Sequence, residues 1–252
     1  IFKRKQNLFK VPSYLYYKIF NRTSNYIINS FYDLDYHDIE LFHFFNTLSY
    51  GKKPWVTTFE TFLPRWNHSD SKTMRAGLRL ISKDSCKKII AISLCTKNIQ
   101  KLITNDIAPE FNDVINEKLM VLHPSQECSK TKNFKKKFRS KIIFTIIGDQ
   151  FFSKGGKEIL IVFDSLLQQG YKNWHLNIIS NLKTDGYVTF TSKSDVASAK
   201  RIIDKLSNHI SHYSNIPNKN VLSILDNTNV GLLPSYAETY GYSVLELQSR
   251  GC

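Results

Sequence analysis

"KIIFTIIGDQFFSKGGKEILIVFDSLLQQGYKNWHLNIIS" (141–180) contains the pattern that sets the fold class. Residues 141–149 form a near-continuous apolar run that closes on Gly148, the mark of a strand buried on both faces. "QFFSKGG" supplies turn chemistry. From Lys157 to Gln169 the apolar residues Ile159, Phe163, Leu166 and Leu167 fall on one helical face, and Gly170 stands where a helix would end. "WHLNIIS" (174–180) is again a strand. Strand, helix and strand within about forty residues make a βαβ unit and so a parallel sheet.

The alternation continues in both directions. Downstream, residues 195–207 read as a helix, "HISHYS" as a short strand, and "NKNVLSILDN" as a helix with Asn218 as its N-cap. "NVGLLPS" (229–235) is a strand, and "YSVLELQSR" a helix closed by Gly251. Upstream, "IELFHFF" reads as a buried strand and "PWVTTFE" as another. Residues 72–85 read as a helix, "KKIIAISL" (87–94) as a strand, "TKNIQKLITND" as a helix, and "KLMVLHPS" (118–125) as a strand. Between the halves, "KTKNFKKKFRSK" (130–141) carries seven basic residues and no acid. The expectation is an α/β protein of two Rossmann-like doubly wound domains, 1–138 and 139–252.

The 252 residues carry 35 Lys and Arg against 21 Asp and Glu, a formal charge of +14 that favours anionic partners. With 42% hydrophobic and 22% charged residues, the composition suits a folded core and excludes a disordered chain. No apolar run reaches the ~18 residues a spanning helix needs. Cys86, Cys95, Cys128 and Cys252 form no C-x-x-C pair and have no histidine at metal-ligand spacing, so they read as small core residues of a cytoplasmic protein. The acid-free stretch 1–30 reads as a half-buried helix with a solvated basic side. Its other reading is a face for nucleic acid or acidic membrane. The sequons at Asn21 and Asn67 carry little weight without an export signal.

Two loops hold the chemistry. In "GDQFFSKGG", Gly148 ends a strand, Lys154 adds a point charge, and Gly155 and Gly156 open a helix whose N-terminus can face phosphate. Such glycines are as often structural, and the order is not that of a Walker A loop. In "LPSYAETYGYSVLE" (233–246), Thr239, Tyr240 and Gly241 precede a second helix N-terminus, and Glu238 and Glu246 flank it. Carboxylates accept hydrogen bonds from vicinal hydroxyls, as in ribose recognition. Capping of the helix dipole would account for Glu246 but not Glu238. Two anion sites and two hydroxyl-binding acids at the carboxyl edge of one sheet describe a site for a sugar nucleotide. Asp33-Leu34-Asp35 has the D-x-D form of a metal site, but its surroundings do not support that use.

At this point the second half resembles the donor-binding domain of the retaining "glycosyl transferases group 1" family, of GT-B fold. "IIGDQFFSKGG", "LNIIS", "NIPNKNVLSILDNTNVGLLPS" and "ETYGYSVLELQSRGC" come in family order, and Glu238 and Glu246 match its E-x7-E motif. The resemblance covers 139–252 and, more weakly, 36–128 through "IELFHFFNT", "PWVTTFE", "IIAIS" and "KLMVLHPSQE".

The resemblance implies that Glu246 holds donor ribose hydroxyls and that Glu238 contacts the donor sugar. Thr239, Tyr240 and Gly241 would touch sugar and phosphate, and Lys154, set among Gly148, Gly155 and Gly156, would neutralise the leaving diphosphate. It implies retention of configuration, no cofactor or metal, and a glycan or glycolipid acceptor. The place implied is the cytoplasm, with possible attachment to the inner membrane surface. Nucleic acid is then not expected, and the alternative is a non-catalytic basic module for nucleic acid or acidic membrane. The family's Arg five residues before the Lys is Asp149 here, and its acceptor-side His aligns with Glu60. His43 is then the candidate acceptor contact, or else a core histidine.

The family also has a glycine-rich first strand and an apolar strand after "GC". Two complete domains would want about 150 residues each. With Ile at position 1 and Cys252 last, both domains are expected to be incomplete, and the chain alone aggregation-prone or poorly active.

Overall fold

The computed structural model describes residues 19, 24–32, 38–66, 70–128, 140–184, 186 and 188–252. The chain divides between Pro124 and Ser125 into two compact units. The expected boundary at 138/139 lies outside the described residues, as do residues 1–18, Asn21, Asp33, Leu34, Asp35, Asn67 and 130–139 of the basic run.

The first unit runs α1 (Asn25–Ile28), β1 (Ser30–Phe31), β2 (Phe42–Phe45), β3 (Leu48–Ser49), β4 (Trp55–Phe59), α2 (Ser71–Ser82), β5 (Cys86–Ala91), α3 (Leu94–Ile107), α4 (Asn112–Lys118) and β6 (Leu119–Val121). β1 pairs with β3, and a four-stranded parallel sheet is ordered β2-β4-β5-β6. Its core gathers Trp55, Phe59, Leu63, Trp66, Leu78 and Ile81, all fully buried. Asp70 caps α2, accepting from the Lys72 amide at 3.0 Å and from the Thr73 hydroxyl, and those bonds hold its carboxyl below the usual range.

The strand expected to be buried at "IELFHFF" is shorter and half-exposed. β2 alternates between partly buried and exposed residues, one face packed inward and the other in solvent, and among the described residues it pairs with β4 alone. α3 inverts the usual pattern. Its buried residues are Thr96, Gln100 and Thr104, while Leu94 and Leu102 are exposed. Gln100 accounts for this: its Oε1 accepts from the Leu63 amide at 2.7 Å and its Nε2 donates to the Leu63 carbonyl at 3.1 Å. Buried backbone polar groups must be satisfied, and Gln100 satisfies both of those that Leu63 carries.

The second unit runs β7 (Ile142–Ile147), α5 (Gly156–Gln168), β8 (Trp174–Ile179), α6 (Lys193–Lys205), β9 (Ile210–Tyr213), α7 (Asn218–Asp226), β10 (Val230–Leu232) and α8 (Tyr242–Ser249). Its parallel sheet is ordered β10-β7-β8-β9. The α/β class with two Rossmann-like units is as expected. Both sides of β8 are covered, and its Asn177 reaches Thr145 at 3.3 Å, which meets Thr228 at 2.6 Å, so the polar atoms inside this sheet are paired. A capping box of Ser192 and Asp195 opens α6. The Ser192 bonds, helped by Lys157, lower the Asp195 carboxyl to about 2. α7 departs from expectation at its start: Pro217 is the N-cap and Asn218 is already helical, with no side-chain cap.

Counting from β7, the sheet order places the fourth strand beside the first and on the opposite side from the second. The chain therefore reverses its winding between β7 and β10. Open α/β sheets bind ligands at such a reversal, at the carboxyl ends of the strands.

Candidate functional site

The loops after β7 and β10 meet at that reversal. The Tyr236 amide donates to the Ser153 carbonyl at 3.0 Å, and the Tyr236 hydroxyl donates to Glu158 at 2.7 Å, which raises its own pKa. Gly155 has φ 75 and packs on Pro234 so closely that a Cβ there would lie 2.4 Å from the Pro234 carbonyl oxygen. On β10, a Cβ on Gly231 would come within 2.4 Å of Leu247, which lets α8 seat directly against the strand.

Across this seam Lys154 Nζ donates to Glu238 Oε1, which also accepts from Ser235 Oγ at 2.7 Å. Lys154 and Glu238 are far apart in sequence, and their side chains are 21% and 26% exposed, so the pair sits in a sheltered but open place. Gly148 lies under the Lys154 stem; a Cβ there would be 2.9 Å from Lys154 Cγ. Lys154 also lines a cleft of about 480 Å³ with Asp149, Gln150, Lys183 and Thr184. A smaller cleft of about 160 Å³, bordered by Gly148, Asp149, Asn181, Tyr213 and Ile216, adjoins it at the ends of β7, β8 and β9.

The glycines that open α5 differ from expectation in what they offer. The Lys154, Gly155 and Gly156 amides donate to the carbonyls of Gln150, Phe152 and Phe151 at 3.2, 3.0 and 2.9 Å. Those donors are spent inside the turn, so what these glycines supply is close packing. Gly241, at φ 77, is the N-cap of α8, which has no side-chain cap; Thr239 and Tyr240 lead into it.

Glu246 is the fifth residue of α8, beyond its first turn, so dipole capping does not account for it. It is half-buried, and burial raises its pKa. Among the described residues its carboxylate has no ion-pair partner. A carboxyl whose folded pKa lies above its unfolded value favours folding most when protonated, and that contribution is lost as pH rises through the folded pKa. Glu246→Gln is therefore expected to melt with wild type at about pH 4 and above it at about pH 7. Equal melting temperatures at both would mean that the carboxylate is adequately solvated.

The acceptor-side candidates lie in the first unit, on and after paired strands β2 and β4. His43 is exposed on β2, its Nε2 2.9 Å from the Thr58 hydroxyl, so it is not a core histidine. Glu60 follows β4 at the carboxyl edge of the first sheet. Its carboxylate accepts from Arg65 at 3.1 Å and its amide donates to Asn46 at 3.2 Å. Cys86 is buried, as expected for a core residue, whereas Cys95 and Cys128 are exposed. Among the described residues no group of three or more His, Cys, Asp and Glu could hold a metal ion, and no helix is long and apolar enough to cross a membrane.

No protein-family model and no curated protein matches the chain. Solved structures do. The lipopolysaccharide outer core galactosyltransferase WaaB aligns at 16% identity over 79% of this chain and 48% of that one, with a TM-score of 0.48. Sucrose-phosphate synthase from Thermosynechococcus elongatus aligns at 12% identity over 86% and 55%, with a TM-score of 0.48. A UDP-forming trehalose-phosphate synthase from Burkholderia xenovorans aligns at 13% identity over 79% and 51%, with a TM-score of 0.45. This chain thus spans about half the length of each.

Proposed function

We propose that the second unit is the donor-binding half of a glycosyltransferase that uses a nucleoside diphosphate sugar and retains the anomeric configuration. One observation carries the reading: the Lys154–Glu238 pair, formed across the winding reversal between β7 and β10. The resemblance of "ETYGYSVLELQSRGC" to the E-x7-E stretch of group 1 glycosyltransferases points to the same chemistry.

The roles follow from position. Glu246, half-buried and without a cation among the described residues, accepts from the ribose hydroxyls. Glu238 faces the sugar, and Thr239, Tyr240 and Gly241 border sugar and phosphate at the uncapped start of α8. In the transfer the bond from the anomeric carbon to the diphosphate oxygen breaks, a bond to the acceptor hydroxyl oxygen forms, and the hydroxyl's proton passes to the departing diphosphate. Negative charge collects on the leaving diphosphate, and the Lys154 ammonium, already in the cleft, balances it. This assigns the charge-balancing role to a side chain and calls for no cofactor or metal ion. The acceptor would be a glycan or glycolipid bound by the first unit, with His43 and Glu60 as candidate contacts. Work in the cytoplasm or at the inner membrane surface would suit it.

The test is calorimetric titration with a panel of nucleotide sugars. One donor is expected to bind, and Glu246→Ala to weaken it by about tenfold or more, the worth of a charge-assisted pair of hydrogen bonds. Unchanged affinity in the variant would remove Glu246 from the donor site. If no donor binds while nucleic acid binds with steep salt dependence, the protein is instead a basic binding module.

A further inference from the structure

The cleft that holds Lys154 contains an acid, and an acid beside a diphosphate would oppose binding. Asp149 does not stand there as a bare charge. Its Oδ2 accepts from Lys183 Nζ at 3.1 Å and its Oδ1 from Asn181 Nδ2 at 2.6 Å. Asn181 is fixed in turn, its Oδ1 accepting from the Asn215 amide at 2.9 Å. The Ser180 hydroxyl donates to the Asp149 carbonyl at 3.4 Å and accepts from the Leu182 amide at 3.2 Å.

The backbone between the two donors is unusual. Leu182 has φ 48 and is 3% exposed, a left-handed conformation that a branched side chain seldom adopts. Conformations of this kind persist where the surroundings over-determine them, and they cluster at functional sites. Here the turn lets Asn181 and Lys183, on either side of Leu182, both reach the one carboxylate. Lys183 is thereby brought to the wall of the cleft that Lys154 also lines.

We propose that Lys183, tethered by Asp149, is a second cation that directly contacts the diphosphate in this cleft, opposite the Lys154–Glu238 seam. The proposal rests on the donor-site reading above and adds to it a residue from the loop after β8. Two lysines from different loops would grip the anion from two directions, and the acid sets the position of one of them. A lysine that served only to neutralise Asp149 would need neither the Asn181 bond nor the strained Leu182.

The experiment separates contact from neutralisation. The chain is titrated with inorganic pyrophosphate and with the nucleoside diphosphates of uracil, guanine and adenine. Lys183 is 64% exposed, so its replacement should leave the melting temperature unchanged. Lys183→Ala is expected to weaken pyrophosphate by about tenfold, as for a lost hydrogen bond to a charged group. Lys183→Arg should keep most of the affinity. The double variant Lys183→Ala, Asp149→Asn has the net charge of wild type, so it should recover only part of the loss. Full recovery would mean that Lys183 merely neutralises Asp149, and the proposal would fall. It would fall equally if Lys183→Ala bound as wild type, or if wild type bound no pyrophosphate. If pyrophosphate binds as described but no nucleoside diphosphate binds more tightly, the role of Lys183 stands and the sugar-nucleotide reading fails.

Discussion

On the donor-site reading proposed above, Lys154→Ala is expected to lower the turnover of the bound donor by about a hundred- to a thousandfold, the usual effect of deleting one group aimed at developing charge. The expectation comes from what surrounds the ammonium. It emerges from the β7 loop over Gly148, which leaves room for its stem, and ends at Glu238 in the β10 loop. The bond to the diphosphate breaks with charge moving onto phosphate oxygen, so a cation fixed in the cleft stabilises the transition state more than the intact donor. Its removal should therefore appear mainly in kcat, with a smaller rise in KM.

The alanine variant also leaves Glu238 with Ser235 alone, an uncompensated charge facing the same cleft. Lys154→Arg keeps the charge but not the compact ammonium, and is expected to fall between the two. Stability should move little, since a partly exposed pair contributes about 1 kcal/mol or less. A variant that turned over its donor at the wild-type rate would take Lys154 out of the reaction. A variant that lost stability and turnover in parallel would make the pair structural.

The sequence carried the architecture further than the site. β8 (174–179) is buried at every position but His175, as an inner strand of a parallel sheet should be, and needs no alternation; β7 (142–147) was legible from its apolar run although only Thr145 and Ile146 are fully buried. The same rule misread "IELFHFF". Five aromatic or aliphatic residues look buried in one dimension, but only one face of β2 is covered, and His43 and Phe45 face outward. α3 is a helix as read, but its packing runs the opposite way. Its buried face is the polar series Thr96, Gln100, Thr104, spaced by four, and hydrophobic periodicity cannot register a polar face that is satisfied by another loop's backbone. That spacing was itself a signal. Asn218 was misplaced by one residue because Pro217, at φ −59 and ψ 147, already holds the chain extended at the helix entrance.

At the site, Lys154 and Glu238 were each visible as residues at strand ends, but their contact depends on which strands are neighbours. Asn181 and Lys183 gave no motif at all. Their only trace was the anomaly of an acid at Asp149, which makes sense once the loop after β8 is seen to fold onto it.

Gly155→Ala should cost the second unit about 2–5 kcal/mol, from left-handed backbone and overpacking together. At φ 75 any side chain meets the first penalty. The second is local: the new Cβ would sit 2.4 Å from the Pro234 carbonyl oxygen and 2.9 Å from Pro234 Cγ. A backbone carbonyl cannot rotate away as a flexible side chain would, so the loop after β10 must shift as a body. That loop carries Ser235, Tyr236 and Glu238, and so the Ser153–Tyr236 bond and the Lys154–Glu238 pair would loosen together.

Gly170 provides the control. Its φ is 89, equally left-handed, but nothing lies within 4 Å of a Cβ there. Gly170→Ala should therefore cost only the conformational part, about 1–2 kcal/mol. Urea titration of both variants isolates the packing between the two loops as the difference. If Gly155→Ala were no worse than Gly170→Ala, the seam would be loose enough to absorb a methyl group. Its hold on Lys154 and Glu238 could not then be what aligns them. If the variant folds but loses donor affinity, the close approach of Gly155 to Pro234 is what keeps the cleft in register.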